Sequence, residues 1–222
     1  LPELTHAVGR QIGAELASLG ITMTLAPVAD VNTRVDNPVI GTRSFGADTG
    51  RVATHVAAWT KGLQESGVAA CVKHWPGHGD TDLDSHLDLP RVEVAEDVLA
   101  EREVVPFRAA VKAGAAAVMT SHVVVSAWDP AAPATLSRAA VDRLRADLGF
   151  TGVVVSDALD MAGAAAGRGI PEAAVLSLAA GCDLLCLGPS TGTDDDDVAL
   201  VGEVQAAIVR AVVDGRLAER RL

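Results

Sequence analysis

Apolar positions along the chain follow two rhythms that alternate. Leu4, Val8, Ile12, Leu16 and Leu19 recur at helical spacing and Gly20 ends the run, which predicts a helix over 4–19. Ile21 to Val28 is rich in β-branched and aliphatic residues and predicts a strand closing in Ala29-Asp30. Residues 31–49, with their Asn, Pro and Gly, read as a long loop. A helix is expected over about 50–66 and a buried strand over 68–74. Residues 94–113 read as a helix in two pieces, because Pro106 does not fit a helix interior but suits the first turn of a new one. A strand follows over 115–120, a helix near 137–147, and a strand over 152–157. The unbroken β-branched run of that strand suggests burial on both faces, as in a parallel sheet. Last come a helix over 171–180, a strand over 182–187, and a helix from the acidic turn Asp194–Asp197 to about Asp214.

One helix followed by five strand–helix repeats argues for parallel α/β architecture. Its two main forms are the open doubly wound sheet and the (β/α)8 TIM barrel. No Gly-x-Gly-x-x-Gly follows a strand, which weakens a dinucleotide-binding reading. Polar residues instead stand at the C-terminal end of nearly every strand: Asp30, Lys73 with His74, Ser121 with His122, and Asp157. In a barrel those ends meet at one mouth, so the barrel is the expected fold. A barrel needs eight strands and five are visible. The chain is then a fragment, or the missing strands come from elsewhere, or the sheet is open.

Composition narrows the functional classes. The chain has 222 residues, within the range of one large domain, and 49% of them are hydrophobic, enough for a substantial core. A net charge of −11 with no basic cluster disfavours a nucleic-acid partner and gives no reason to expect an anionic membrane surface. Cys71, Cys182 and Cys186 all lie in apolar runs and read as reduced core thiols. No run approaches transmembrane length and no signal peptide is visible. The expected compartment is the cytoplasm, with an export signal upstream of residue 1 as the alternative.

Chemistry concentrates in residues 73–86, which hold three histidines, three aspartates and a lysine after the strand at 68–72. So polar a stretch is expected to lie outside the core, as a loop carrying functional groups on a rigid scaffold. Asp157 ends a buried strand and could be a nucleophile, a base or a helix cap. Asp84 and His86 are alternate residues of an extended loop and could face the same way. Such an aspartate would fix the imidazole tautomer and leave its other nitrogen for proton transfer. A metal site built from His74, His78, His86 and the aspartates has suitable residue types, but its spacing matches no metal motif. Lys73 and Arg43 are cations at the expected mouth, fit to hold hydroxyls or a carboxylate, or to offset Asp157. His74 and His78 are ligand contacts or loop braces.

The run from Lys73 to Thr81, continuing through Asp84-Ser85-His86 to Leu89-Pro90, resembles the signature of glycoside hydrolase family 3 β-N-acetylglucosaminidases of bacterial peptidoglycan recycling. Leu25–Asn32, Asn37–Gly41, Arg43–Gly46, Val118–His122 and Gly149–Asp157 resemble further segments of that family. The resemblance implies one glycosidase catalytic domain over 1–222, the C-terminal part of a TIM barrel with strands four to eight. It implies a retaining exo-β-N-acetylglucosaminidase acting on muropeptides or related β-linked oligosaccharides, a small carbohydrate partner and no cofactor. Asp157 would be the nucleophile, His86 the general acid/base and Asp84 its partner. Arg43, Lys73 and His74 would bind N-acetylglucosamine. The family also uses an aspartate and an arginine from a Gly-Gly motif preceding everything in this chain. Rival expectations are a phosphorylase of the same family, a metal-dependent hydrolase, and an inactive barrel fragment.

Overall fold

The computed structural model describes residues 1–81, 89–188 and 193–222. Helix α1 (Pro2–Ser18) leads into strand β1 (Met23–Thr24), and α2 (Thr49–Glu65) into β2 (Ala69–Trp75). A short strand β3 (Arg91–Val92) precedes a continuous helical stretch. That stretch runs as α3 (Glu96–Val98), a π-helical turn (Leu99–Glu103) and α4 (Val104–Lys112). Then come β4 (Ala117–Thr120), β5 (Val124–Val125), α5 (Arg138–Ala146), β6 (Val153–Val155), α6 (Ala162–Ala165), α7 (Ile170–Ala180) and α8 (Asp194–Val213).

Four strands form one parallel sheet in the order β1-β2-β4-β6. Successive strands pair across intervening helices, as the alternation predicts. Single parallel bridges extend it, Val28 to Lys73 near one edge and Val155 to Leu184 at the other. The strand expected over 182–187 is therefore one bridge plus backbone bonds, such as Ser156 N–H to Leu184 C=O at 2.9 Å. Among the described residues it has a sheet neighbour on one side only, which leaves its other edge without a ladder to straighten it. The β3–β5 pair, Arg91 opposite Val124, is an element the periodicity does not predict.

Side chains alternate across the sheet. Val72, Trp75, Val118 and Val154 point to the helices, where they meet Val52, Val56, Phe107, Val141 and Leu144. Each fully buried side chain of this size contributes about 1.5–3 kcal/mol. Met23, Cys71, Ala117, Met119 and Val155 face the other way and form a separate cluster. The sheet does not close among the described residues, and Leu25 and Leu184 near its two edges remain 40% and 42% exposed.

Local chemistry sets the element ends. Ser137 caps α5 by accepting from the Ala140 N–H, and Asp48 caps α2 by accepting from Arg51 at 2.7 Å. Thr193 and Asp196 form a reciprocal capping box at α8, so the acidic turn begins a helix, as expected. Pro106 sits in the first turn of α4, and the preceding turn widens to π where its missing N–H leaves the usual bond unmade. Among the described residues no helix is long and apolar enough to cross a membrane.

Candidate active site

The end of β2 is where the chain turns inward. Trp75 is fully buried, donates from Nε1 to the Ala140 carbonyl at 2.9 Å, and packs on Phe107 and Trp128. It anchors the strand to α5, and Pro76 to Thr81 then fold back over the strand ends. The Lys73–His74, Trp75–Pro76 and Ala26–Pro27 peptide bonds are cis.

Contrary to expectation, the first half of the polar stretch is core. His74, His78 and Thr81 are 5%, 1% and 0% exposed. Burial is possible because their polar groups satisfy one another. Asp30, fully buried, accepts from His74 Nδ1 at 2.7 Å, from the His78 backbone N–H at 2.7 Å and from the His74 backbone N–H at 3.3 Å. His78 Nδ1 meets the Thr81 hydroxyl at 2.6 Å. Asn37 donates to the His78 carbonyl at 2.8 Å. Gly79 lies against the Val31 backbone, where a Cβ would collide with the carbonyl.

Burial alone would raise the Asp30 carboxyl, but the His74 ring, its hydrogen bond and nearby His78 outweigh it and hold the group below its usual range. Burial pushes His78 down, against the pull of Asp30. Asp30 as a carboxylate only accepts, so His74 Nδ1 carries the hydrogen. His74 Nε2 then has no bond to any described residue and is available to a ligand.

Lys73 and Asp157 flank this cradle. Lys73, Asp157 and Cys186 all act electrostatically on Cys71, whose thiol burial pushes up to about 12. Asp157 also acts on His78 and His122, so the strand ends do converge. Asp157 is half-buried and caps no helix; its Oδ1 accepts from its neighbour's N–H, Ala158, at 2.8 Å. Its second oxygen has no partner among the described residues. His122, at 0% exposure, reaches the Ala158 carbonyl at 2.7 Å.

Arg43 is held differently. It is exposed, and its guanidinium donates twice to the Val39 carbonyl, at 3.0 and 2.8 Å. It shares with Lys73, Phe45 and Trp59 a groove of about 330 Å³ beside β1. No contact connects it to Asp157 among the described residues. Asp84 and His86 lie outside the described residues. Also among the described residues, no group of three or more His, Cys, Asp or Glu is placed to hold a metal ion. All three cysteines are free thiols.

Beneath the loop, Glu103 is 1% exposed and accepts from Arg102 Nε at 2.6 Å, while Arg102 Nη2 grips Asp80 at 2.5 Å. Gly77 has φ +145°, and a Cβ there would stand 2.9 Å from Glu103 Oε2. Burial pushes Glu103 up to about 7; Arg102 pulls it back, and Asp30 and Asp80 add to the rise. The folded chain therefore keeps a proton between about pH 4.5 and 7 that the unfolded chain releases. This group's share of stability falls as pH rises through that window, by about 3 kcal/mol at most. The Glu103→Gln variant is expected to lose that slope and to exceed wild-type stability at pH 8, measured by urea unfolding. Buried His78 and His122, held below the usual histidine range, slope the other way, so the readout is variant minus wild type at each pH.

Two of the groups brought together here were seen at strand ends by sequence but given no role, Asp30 and His122. Their position after a strand was the available signal. Their partners, 44 and 36 residues away, were not.

Comparison with known proteins matches this arrangement to one family. Residues 2–222 match the profile described as the glycosyl hydrolase family 3 N terminal domain. A β-hexosaminidase of Thiobacillus denitrificans is 42% identical over 190 residues, covering 84% of this chain and 52% of that protein. The structure of a family 3 β-N-acetylglucosaminidase from Paenibacillus sp. str. FPU-7 superposes with a TM-score of 0.93 at 41% identity, over 100% of this chain and 41% of that one. The β-N-acetylglucosaminidase structure from Thermotoga maritima gives a TM-score of 0.84 at 32% identity, over 99% of this chain and 45% of that one. The chain thus spans about half the length of the curated relatives it matches. Its sheet is an arc of the (β/α)8 barrel type.

Proposed function

The chain belongs to glycosyl hydrolase family 3, and from that premise we propose that it carries the nucleophile and proton-transfer groups of a retaining exo-β-N-acetylglucosaminidase. The observation that supports this reading most is Asp157. It stands at the end of β6, near enough to act electrostatically on Cys71, His78 and His122, half-buried, with one carboxylate oxygen free of protein partners among the described residues.

That free oxygen attacks the anomeric carbon of a terminal β-linked N-acetylglucosamine. The C1–Oδ bond forms as the bond to the leaving oxygen breaks. His86, oriented by Asp84, donates its proton to that oxygen in the proposed assignment. The imidazole, now neutral, takes a proton from water, whose oxygen displaces Asp157 from C1 and restores the carboxylate. Two inversions retain the β configuration. Lys73 donates to sugar hydroxyls or the N-acetyl oxygen, the Nε2 of His74 accepts from a sugar hydroxyl, and Asp30 locks the His74 tautomer for that task. Arg43 is proposed as a further sugar contact; reaching a sugar from the groove requires its guanidinium to leave the Val39 carbonyl. Substrates of this class are muropeptides and β-linked oligosaccharides of N-acetylglucosamine.

The test is product analysis by NMR with an aryl β-N-acetylglucosaminide, in phosphate and in a phosphate-free buffer. Release of the β-anomer of free N-acetylglucosamine first, at equal rates in both buffers, is expected. A sugar 1-phosphate in the phosphate buffer would mark a phosphorylase, and a first-formed α-anomer would contradict the retaining mechanism.

A further inference from the structure

Asp157 is aimed by the short segment that follows β6. On one side that segment is held by backbone, Ser156 N–H to Leu184 C=O and Leu159 N–H to Cys186 C=O, both at 2.9 Å. On the other side lies β4. The β4–β6 register pairs Met119 with Val155. Three residues further along both strands, the same register sets His122 opposite Ala158. There the side chain takes over from the ladder, with His122 Nε2 2.7 Å from the Ala158 carbonyl oxygen.

A carbonyl only accepts, so Nε2 carries the hydrogen and the neutral ring presents Nδ1 as a bare acceptor. That Nδ1 is buried and has no partner among the described residues. A second proton would create a buried N–H with nothing among the described residues to receive it, which disfavours the imidazolium. We propose that His122 is a positioning residue for Asp157, its neutral Nε2–H pinning the Ala158 carbonyl and so fixing the segment from which the carboxylate projects. This rests on the reading of Asp157 as nucleophile.

Neutrality is part of the role. Burial lowers the basicity of His122 and outweighs Asp157, the bond to the Ala158 carbonyl and Asp160, which raise it; His74 lowers it further. When Asp157 is consumed in the glycosyl ester, one charge favouring protonation disappears. The ring stays neutral throughout, so it orients the nucleophile without offering it a competing cation.

Two variants and one spectrum test this. His122→Phe keeps the ring volume and removes the donor; His122→Gln keeps an N–H near the position of Nε2. Misplacement of a reacting group by about 1 Å costs about 100-fold, so His122→Phe should lose about that much kcat while KM changes far less. His122→Gln should recover most of the loss. Side-chain ¹⁵N–¹H spectra of the wild type should show His122 as the Nε2–H tautomer, neutral across the folded range. Wild-type kcat in His122→Phe, equal losses in both variants, or an Nδ1–H tautomer would each overturn the proposal. Should His122→Phe fail to fold, His122→Gln and the spectrum still decide it. A wild type that turns over no β-N-acetylglucosaminide would remove the glycosidase reading itself; an active wild type with an unimpaired His122→Phe removes this proposal alone.

Discussion

Asp157→Ala should stop turnover of an aryl β-N-acetylglucosaminide, with kcat falling by about 10⁴-fold or more, as when other covalent nucleophiles are removed. The fold should survive, because the carboxylate is half-buried and its one hydrogen bond is to the adjacent N–H. A loss of about 1 kcal/mol in unfolding free energy is the expected scale for that bond. Chemical rescue distinguishes a nucleophile from a base here. The alanine leaves room below the anomeric carbon, so azide should restore part of the rate and give a glycosyl azide of configuration opposite to the substrate. Azide that restores nothing, with an intact fold, would make Asp157 something other than the attacking group.

Asp30→Ala should cost stability first and activity with it. A fully buried carboxylate that accepts from one imidazole and two backbone N–H groups leaves three donors stranded when it goes. Breaking one side of a buried charged pair costs about 3–5 kcal/mol, enough to lower the folded population at physiological temperature. Asn at this position keeps the shape but can present an amide N–H₂ to the His74 Nδ1–H, donor against donor, so it rescues only in part. The acid limb carries a second signature. The Asp30 carboxyl sits below its ordinary 3.8 in the folded chain. Its stabilising share is therefore complete above about pH 4 and is lost as pH falls through the lower folded value. Urea midpoints from pH 6 to pH 3 should fall less steeply in Asp30→Ala than in the wild type.

Much of this architecture was legible in the chain. The alternation of apolar rhythms located α1, α2, β2, β4, α5, β6, α7 and α8, although in α1 the buried positions are Gly9 and Gly13 while Leu4, Val8 and Leu19 of its apolar stripe stay exposed. It also put Asp30, Lys73, His74, His122 and Asp157 at strand ends, and the parallel sheet brings those ends together. What escaped was non-local. Asp30 became the hub of a cradle only because β1 and β2 lie side by side, and no local pattern links residues 30, 74 and 78. His74, His78 and Thr81 lie in a stretch that looked too polar for the core, yet their polar groups pair with Asp30 and with one another, which makes their burial possible. The segment at 182–187 has strand composition but a sheet partner on one side only, so one bridge is all it forms. Arg43 was read as a sugar contact from its motif, and its present hydrogen bonds go to a carbonyl four residues back. The proposed acid/base pair Asp84 and His86 rests on sequence alone.

Mass spectrometry after inactivation is the most direct check on the site as a whole. A fluorinated N-acetylglucosaminide with a good leaving group forms the glycosyl ester quickly and hydrolyses it slowly, so the intermediate accumulates. Peptide mapping should then find one sugar per chain, as an acid-stable ester on the peptide holding Val153 to Asp157. A label on any other carboxylate, or substrate turnover by a chain that never takes up a label, would contradict Asp157 as the residue that attacks the sugar.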